Sequence, residues 1–185
     1  MGRLTFILGG ARSGKSTQAL KLAKAGGQPV TFIATATVGD DEMARRIAVH
    51  QSERPAGWVT REIPYSIPQA LAAEPVGTEI VLLDCLTLLV TNLMLAGGGE
   101  EVDEAAVTAR VVEEVAGITA CARSGSADWI IVSNEVGLGL VPPYPLGRLY
   151  RDLLGRANQQ LAAQADEVIW MVAGIPVPIQ GYRDR

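Results

Sequence analysis

The sequence predicts an α/β fold, a mostly parallel sheet with helices on both faces, from three observations. β-rich runs, "RLTFILGG", "PVTFIATA", "EIVLLDC", "DWIIVSNEVG" and "DEVIWMVAG", alternate with segments of helical spacing. Strands separated by helices imply right-handed crossovers, which make neighbouring strands parallel. A length of 185 residues with 48% hydrophobic content suits one core, so residues 1–185 are expected to form a single domain.

The elements follow in order. "RLTFILGG" ends in glycines, and "GKSTQALKLAKAGG" has helical spacing that stops at Gly26 and Gly27. After the second strand, "PVTFIATA", the segment from about Asp40 to Gln51 reads as a helix whose acidic start suits the macrodipole. "WVTREI" can form a short extra strand. "EIVLLDC" is a compact buried strand ending in a carboxylate, and "LTLLVTNLMLA" is an apolar helical stretch closed by Gly97, Gly98 and Gly99. A long helix follows, with Val107, Val111, Val115 and Ile118 as its apolar stripe. The last two strands flank a helix over roughly Leu146 to Gln164. Nothing in the chain reads as a repeat, a low-complexity segment or a domain linker.

Composition excludes several functions. The net charge is −4 and the Lys and Arg residues are dispersed, so there is no electrostatic footprint for nucleic acid. Apolar runs such as Ile80 to Leu83 are far too short to span a bilayer, and no signal-like sequence opens the chain. A cytoplasmic protein is expected. Cys85 and Cys121 lack CxxC spacing and histidine companions, so they read as buried thiols and not as metal ligands or a disulfide.

"GGARSGKS", Gly9, Gly10, Ala11, Arg12, Ser13, Gly14, Lys15 and Ser16, fits G-x-x-x-x-G-K-S/T between a predicted strand and a predicted helix. Glycines let the backbone wrap a phosphate chain so that consecutive N–H groups and the helix N-terminus face the anion. Lys15 would bring positive charge to the β- and γ-phosphates, and the Ser16 hydroxyl would ligate Mg²⁺. The fold is therefore expected to be P-loop NTPase-like. A second metal-side carboxylate belongs at the end of another core strand, and Asp84 closes "IVLLD". Asp84 also has a purely structural reading, as N-cap of the helix beginning at Cys85. Glu135, just beyond "WIIVSN", stands at a strand's carboxyl end, where ligands bind in open α/β sheets, but its spacing leaves its role open.

His50 is the only histidine. On a helix it borders an apolar face, one turn after Arg46 and Ile47, and a half-buried structural imidazole is the ordinary meaning of that position. Arg54, Trp58 and Glu62 follow closely, offering a cation, a stacking surface and a carboxylate to a nucleophile, or simply a solvated helix end and an edge strand. Periodicity does not separate these readings. A kinase using only the phosphate loop, or a nucleotide-driven switch with its mobile segment at Gly97 to Glu101, fits the spacing as well.

The succession "GGARSGKS", "FIATA", "DDEMARRIAVHQSERPAGWVTRE", "VLLDCLTLLVTNL", "VSNEVGLGLVP" and "GRANQQLAAQADEVIWMVAGIPV" resembles the bifunctional adenosylcobinamide kinase and adenosylcobinamide-phosphate guanylyltransferase family of cobalamin biosynthesis. The likeness runs from about residue 4 to residue 179 and leaves the tail "QGYRDR" unmatched. It implies that His50 accepts GMP from GTP. It also implies that Gly9 to Ser16, Ala34, Thr35, Ala36, Gln51, Ser52, Glu53, Arg54, Glu62 and Asp84 line the nucleotide site. GTP and ATP would be substrates with Mg²⁺, the other substrates small corrinoids, and the assembly a cytoplasmic homotrimer. One departure stands out, because Glu53 places a carboxylate beside the phosphate-facing Arg54 and would weaken anion binding unless it points away.

Overall fold

The computed structural model describes residues 2–37, 51, 54–96 and 103–179. The most apolar runs of the chain make the middle of its sheet. β1 (Leu4–Gly9) and β2 (Val30–Ala34) are buried at every residue, and β4 (Ile80–Asp84) and β5 (Asp128–Asn134) are exposed only near their ends. With β3 (Val59–Glu62), β6 (Glu167–Val172) and β7 (Ile175–Pro178) they form a seven-stranded sheet in the order β3-β2-β4-β5-β1-β6-β7. All neighbours are parallel except β6 and β7, which form an antiparallel hairpin.

Alternation along each strand divides the core into two layers. Phe6 and Leu8, Val81 and Leu83, Trp129 and Ile131 face α2 (Ile67–Ala73), α3 (Leu86–Leu95), α4 (Glu104–Ser124) and α5 (Pro145–Gln164). Ile7, Phe32, Leu82, Ile130 and Val132 face α1 (Lys15–Ala25), which contributes Ala19, Leu20 and Ala23. The predicted stripe of Val107, Val111, Val115 and Ile118 is buried along α4. Asp103 starts that helix by accepting from the Ala105 and Ala106 N–H groups, both at 3.0 Å.

Two elements were not predicted. α2 is a two-turn helix with Pro68 in its first turn, too short for a periodic signal. The buried Glu114 side chain on α4 accepts from the Ile67 N–H at 2.6 Å, so a neighbouring helix supplies the cap that local sequence lacks. β7 carries Pro176 and Pro178, which demote a run as a strand, yet as an outer strand it needs ladder bonds on one side only.

Two expectations are corrected. Asp84 does not cap the following helix, because α3 begins at Leu86 with Cys85 at the cap position and no side-chain cap bond. The two cysteines are half-buried, not buried, residues, although burial pushes the Cys85 thiol up to about 12. The predicted helix from Asp40 to Gln51, including His50, lies outside the described residues except for Gln51, as do Ser52, Glu53, the Gly97 to Glu101 cluster and the tail after Ile179.

Candidate active site

Parallel pairing brings the carboxyl ends of β1, β5, β4, β2 and β3 to one edge of the sheet, where open α/β sheets bind ligands. Gly9 pairs with Asn134, and Asp84 with Ala34, so the candidate residues meet at that edge.

The loop from Gly9 to Ser16 connects β1 to α1, and its glycines answer specific constraints. A side chain at Gly9 would stand 2.6 Å from Met171 O and 2.7 Å from Ser13 Oγ. Gly14, with φ of 93°, makes the left-handed entry into α1 that an L-residue adopts only under strain. The β6–β7 turn braces the loop from the other side. Ala173 and Gly174, at φ of 50° and 82°, give the tight turn of a two-residue hairpin, and Gly174 N donates to Ser13 O at 3.0 Å.

Lys15 is only 7% exposed, and its Nζ donates to Gly10 O at 2.6 Å and to Ser13 Oγ at 3.5 Å. Burial pushes its pKa down, opposed by the nearby Cys85 and Asp84 groups. Asp84 also acts on Arg54, whose pKa burial lowers while Asp84 and Glu62 hold it up. Lys15, Asp84, Arg54 and Glu62 thus form a row of alternating charge along the sheet edge.

Thr35, fully buried, locks the end of β4 in place. Its Oγ1 donates to Cys85 O at 2.7 Å and accepts from Cys85 N at 2.8 Å, across a cis Asp84–Cys85 peptide. Asn92 on α3 donates to Thr35 O at 2.8 Å and to Pro64 O at 3.0 Å, tying α3 to β2 and to the segment after β3. Ala34 ends β2 and accepts from Ile63 N at 2.9 Å, and Ala36 comes two residues later, after Thr35.

At the outer edge Gln51, Arg54, Pro55, Ala56, Trp58, Thr60 and Glu62 line a cavity of about 400 Å³. Arg54 stacks over the Phe32 ring at 3.6 Å from its centroid and donates to Thr60 Oγ1 at 3.3 Å. Trp58 packs partly on the α1-side core. The structure therefore gathers Gln51, Arg54, Trp58 and Glu62, which the sequence had only placed near one another in the chain.

A polar network behind β5 was missed by sequence reasoning. Ser133 Oγ donates to Asn158 Oδ1 at 2.7 Å, Asn158 Nδ2 donates to Asn134 O at 3.1 Å, and Asn134 N donates to Thr87 Oγ1 at 2.8 Å. The available signal was a polar residue at a core-facing helix position: Thr87 and Asn158 are both buried. Among the described residues no group of three or more His, Cys, Asp or Glu side chains is arranged to hold a metal. Ser16 and Asp84 are nonetheless oxygen donors of the kind Mg²⁺ prefers, and that ion commonly takes few protein ligands beside substrate phosphates.

A phosphate loop at the tip of a central parallel strand, with a carboxylate ending a strand two places away, defines a P-loop nucleotide-dependent enzyme. Residues 5–179 match the family described as cobinamide kinase / cobinamide phosphate guanyltransferase, and the chain belongs to that family. It is 42% identical over 176 residues to the bifunctional adenosylcobalamin biosynthesis protein CobP of Pseudomonas aeruginosa, covering 95% of this chain and 96% of the relative. It is also 42% identical over 181 residues to the bifunctional adenosylcobalamin biosynthesis protein CobU of Salmonella typhimurium, covering 96% and 99%. Among solved structures the RadB recombinase superimposes with a TM-score of 0.50 at 15% identity, over 91% of this chain and 74% of that one, a likeness of fold alone. The protein is a cobinamide kinase and cobinamide-phosphate guanylyltransferase, and no helix among the described residues is long and apolar enough to cross a membrane.

Proposed function

We propose that residues 1–185 act as one catalytic domain that first transfers the γ-phosphoryl of ATP or GTP to the aminopropanol hydroxyl of adenosylcobinamide. It then moves GMP from GTP to the phosphate so formed, giving adenosylcobinamide-GDP. The observation that carries this reading is the charged row from Lys15 through Asp84 and Arg54 to Glu62, along the carboxyl edge of a sheet in a chain of this family.

In the first reaction the loop amides from Gly9 to Ser16 and the Lys15 ammonium would hold the triphosphate and spread its charge. Ser16 and Asp84 would hold Mg²⁺, which neutralises charge on the phosphates when bound. Ala34, Thr35 and Ala36, with Gln51, Ser52, Glu53, Arg54 and Glu62, would complete the nucleotide site. In the second reaction the neutral His50 imidazole attacks the α-phosphorus of GTP and expels pyrophosphate, because an imidazole lone pair needs no prior deprotonation. The phosphate of adenosylcobinamide phosphate then displaces GMP from His50. Both half-reactions proceed in the cytoplasm on small molecules, without nucleic acid. The assembly is a homotrimer, a reading supported by exposed apolar side chains such as Leu138, Leu140 and Val141 that self-association would cover.

The test is incubation with GTP labelled at the α-phosphate, followed by denaturation. Acid-labile, alkali-stable label on the wild type and none on His50→Ala, which keeps phosphorylating adenosylcobinamide, is the expected result. An unlabelled but GTP-binding wild type would leave kinase activity without the covalent route.

A further inference from the structure

Phosphorylating an alcohol and guanylylating a phosphate differ in one requirement. The alcohol must lose a proton as its oxygen bonds to phosphorus, whereas the phosphate monoester presents an anionic oxygen already. A group that removes the alcohol proton would therefore serve the first reaction and not the second.

We propose that Glu135 is that group. The inference rests on the two-reaction reading above and extends it to a residue with no other role in the site. β5 lies between β1, which carries the phosphate loop, and β4, which carries Asp84. Glu135 leaves β5 at the sheet edge, and its N–H donates to Gly9 O at 3.0 Å, so its backbone is bonded directly to the first residue of the loop.

Its attachment is held from behind by two helices. The Asn134 N–H donates to Thr87 of α3, and the Asn134 carbonyl accepts from Asn158 of α5, which Ser133 orients in turn. The carboxylate is aimed as well: Oε1 accepts from the Gly137 N–H. A Cβ at Gly137 would stand 2.7 Å from that oxygen, so the carboxylate end lies close against the turn. The charges of Asp84 and Glu62 act on Lys15 and Arg54, whereas no ion pair engages Glu135 among the described residues. The second oxygen, Oε2, is assigned to the incoming hydroxyl.

The step balances as a simple transfer. The alcohol oxygen forms a bond to the γ-phosphorus while its proton passes to Glu135 Oε2. The bond from the γ-phosphorus to the β,γ-bridging oxygen breaks, and its electron pair leaves with the nucleoside diphosphate. Glu135 afterwards returns the proton to solvent.

The experiment measures both reactions separately in Glu135→Gln, an isostere that cannot take up the proton. Adenosylcobinamide with ATP or GTP reports the first, and preformed adenosylcobinamide phosphate with GTP reports the second. The expected result is a loss of about 100-fold in kcat for phosphorylation, the scale of a positioned general base, with guanylyl transfer within about twofold of wild type. Phosphorylation at the wild-type rate, or equal loss of both reactions in a protein that melts normally, overturns the proposal. If Glu135→Gln melts early, Glu135→Asp decides it, with selective loss of phosphorylation expected and equal loss of both counting against. Absence of both activities from the wild type would instead sink the functional reading on which the proposal stands.

Discussion

The phosphate loop and the Arg54 cavity are two ends of one charged row, but they are mounted differently. The loop hangs on β1, a central strand with neighbours on both sides and every residue buried. The cavity hangs partly on β3, the edge strand, where Val59, Thr60 and Glu62 are exposed and only Arg61 is half-covered. Around the loop, position is over-determined: Met171, Gly174 and Glu135 close on it from the neighbouring strands. At the cavity, the main restraints are Arg54 stacked on Phe32 and Trp58 leaning on the core. A phosphate chain with fixed geometry suits the first environment. The second leaves room for side chains to settle around a ligand.

That contrast predicts a gradient of sensitivity. Lys15→Ala should have the largest effect, lowering both reactions by at least about 100-fold in kcat, since no other group can take its place in so closed a loop. Steady-state rates with each acceptor measure this, and loss of only one reaction would show that the loop does not serve both. Next is Thr35→Val, an exchange of similar shape that removes both hydrogen bonds to Cys85 and leaves the Cys85 N–H unpartnered, while its carbonyl keeps the Leu89 N–H. It should cost about 1–3 kcal/mol of stability by denaturant unfolding, and it should impair the phosphate end before the cavity. An unchanged midpoint would mean that the end of β4 holds itself. Smallest is Arg54→Lys, which keeps the charge but loses the planar stack on Phe32. At a half-exposed position that is worth about 1 kcal/mol, roughly fivefold in nucleotide affinity by titration, with stability little changed. A loss as great as that of Lys15→Ala would erase the distinction between the two ends.

The legible part of the structure was the part with strong local signals. Every buried strand of the sheet announced itself as a short apolar run, and α4 and α5 by their periodicity. The loop was recognisable because phosphate binding demands glycine and lysine at fixed spacing. β7 was hidden by its prolines and α2 by its length, since neither has a local pattern that distinguishes it from a turn. The sequence reads Asp84 as a metal-side carboxylate with helix capping as its structural alternative, and only the alternative falls away: Cys85 occupies the cap position, and the neighbouring Thr35 bonds hold that junction.

Sequence alone determined the α/β class, the strands that form the core, the loop with the glycine and lysine spacing of a phosphate site, and the family to which the chain belongs, because each depends on residue types at short or ordered spacing. Only the tertiary structure decided that Asp84 acts on both Lys15 and Arg54, that a turn at Gly174 braces Ser13, and that Glu135 is bonded to Gly9. Those pairs are separated by tens of residues or more. They meet because β5 is inserted between β1 and β4 and β6 lies on β1's other side, and strand order is set by the packing of whole layers, which no local pattern encodes.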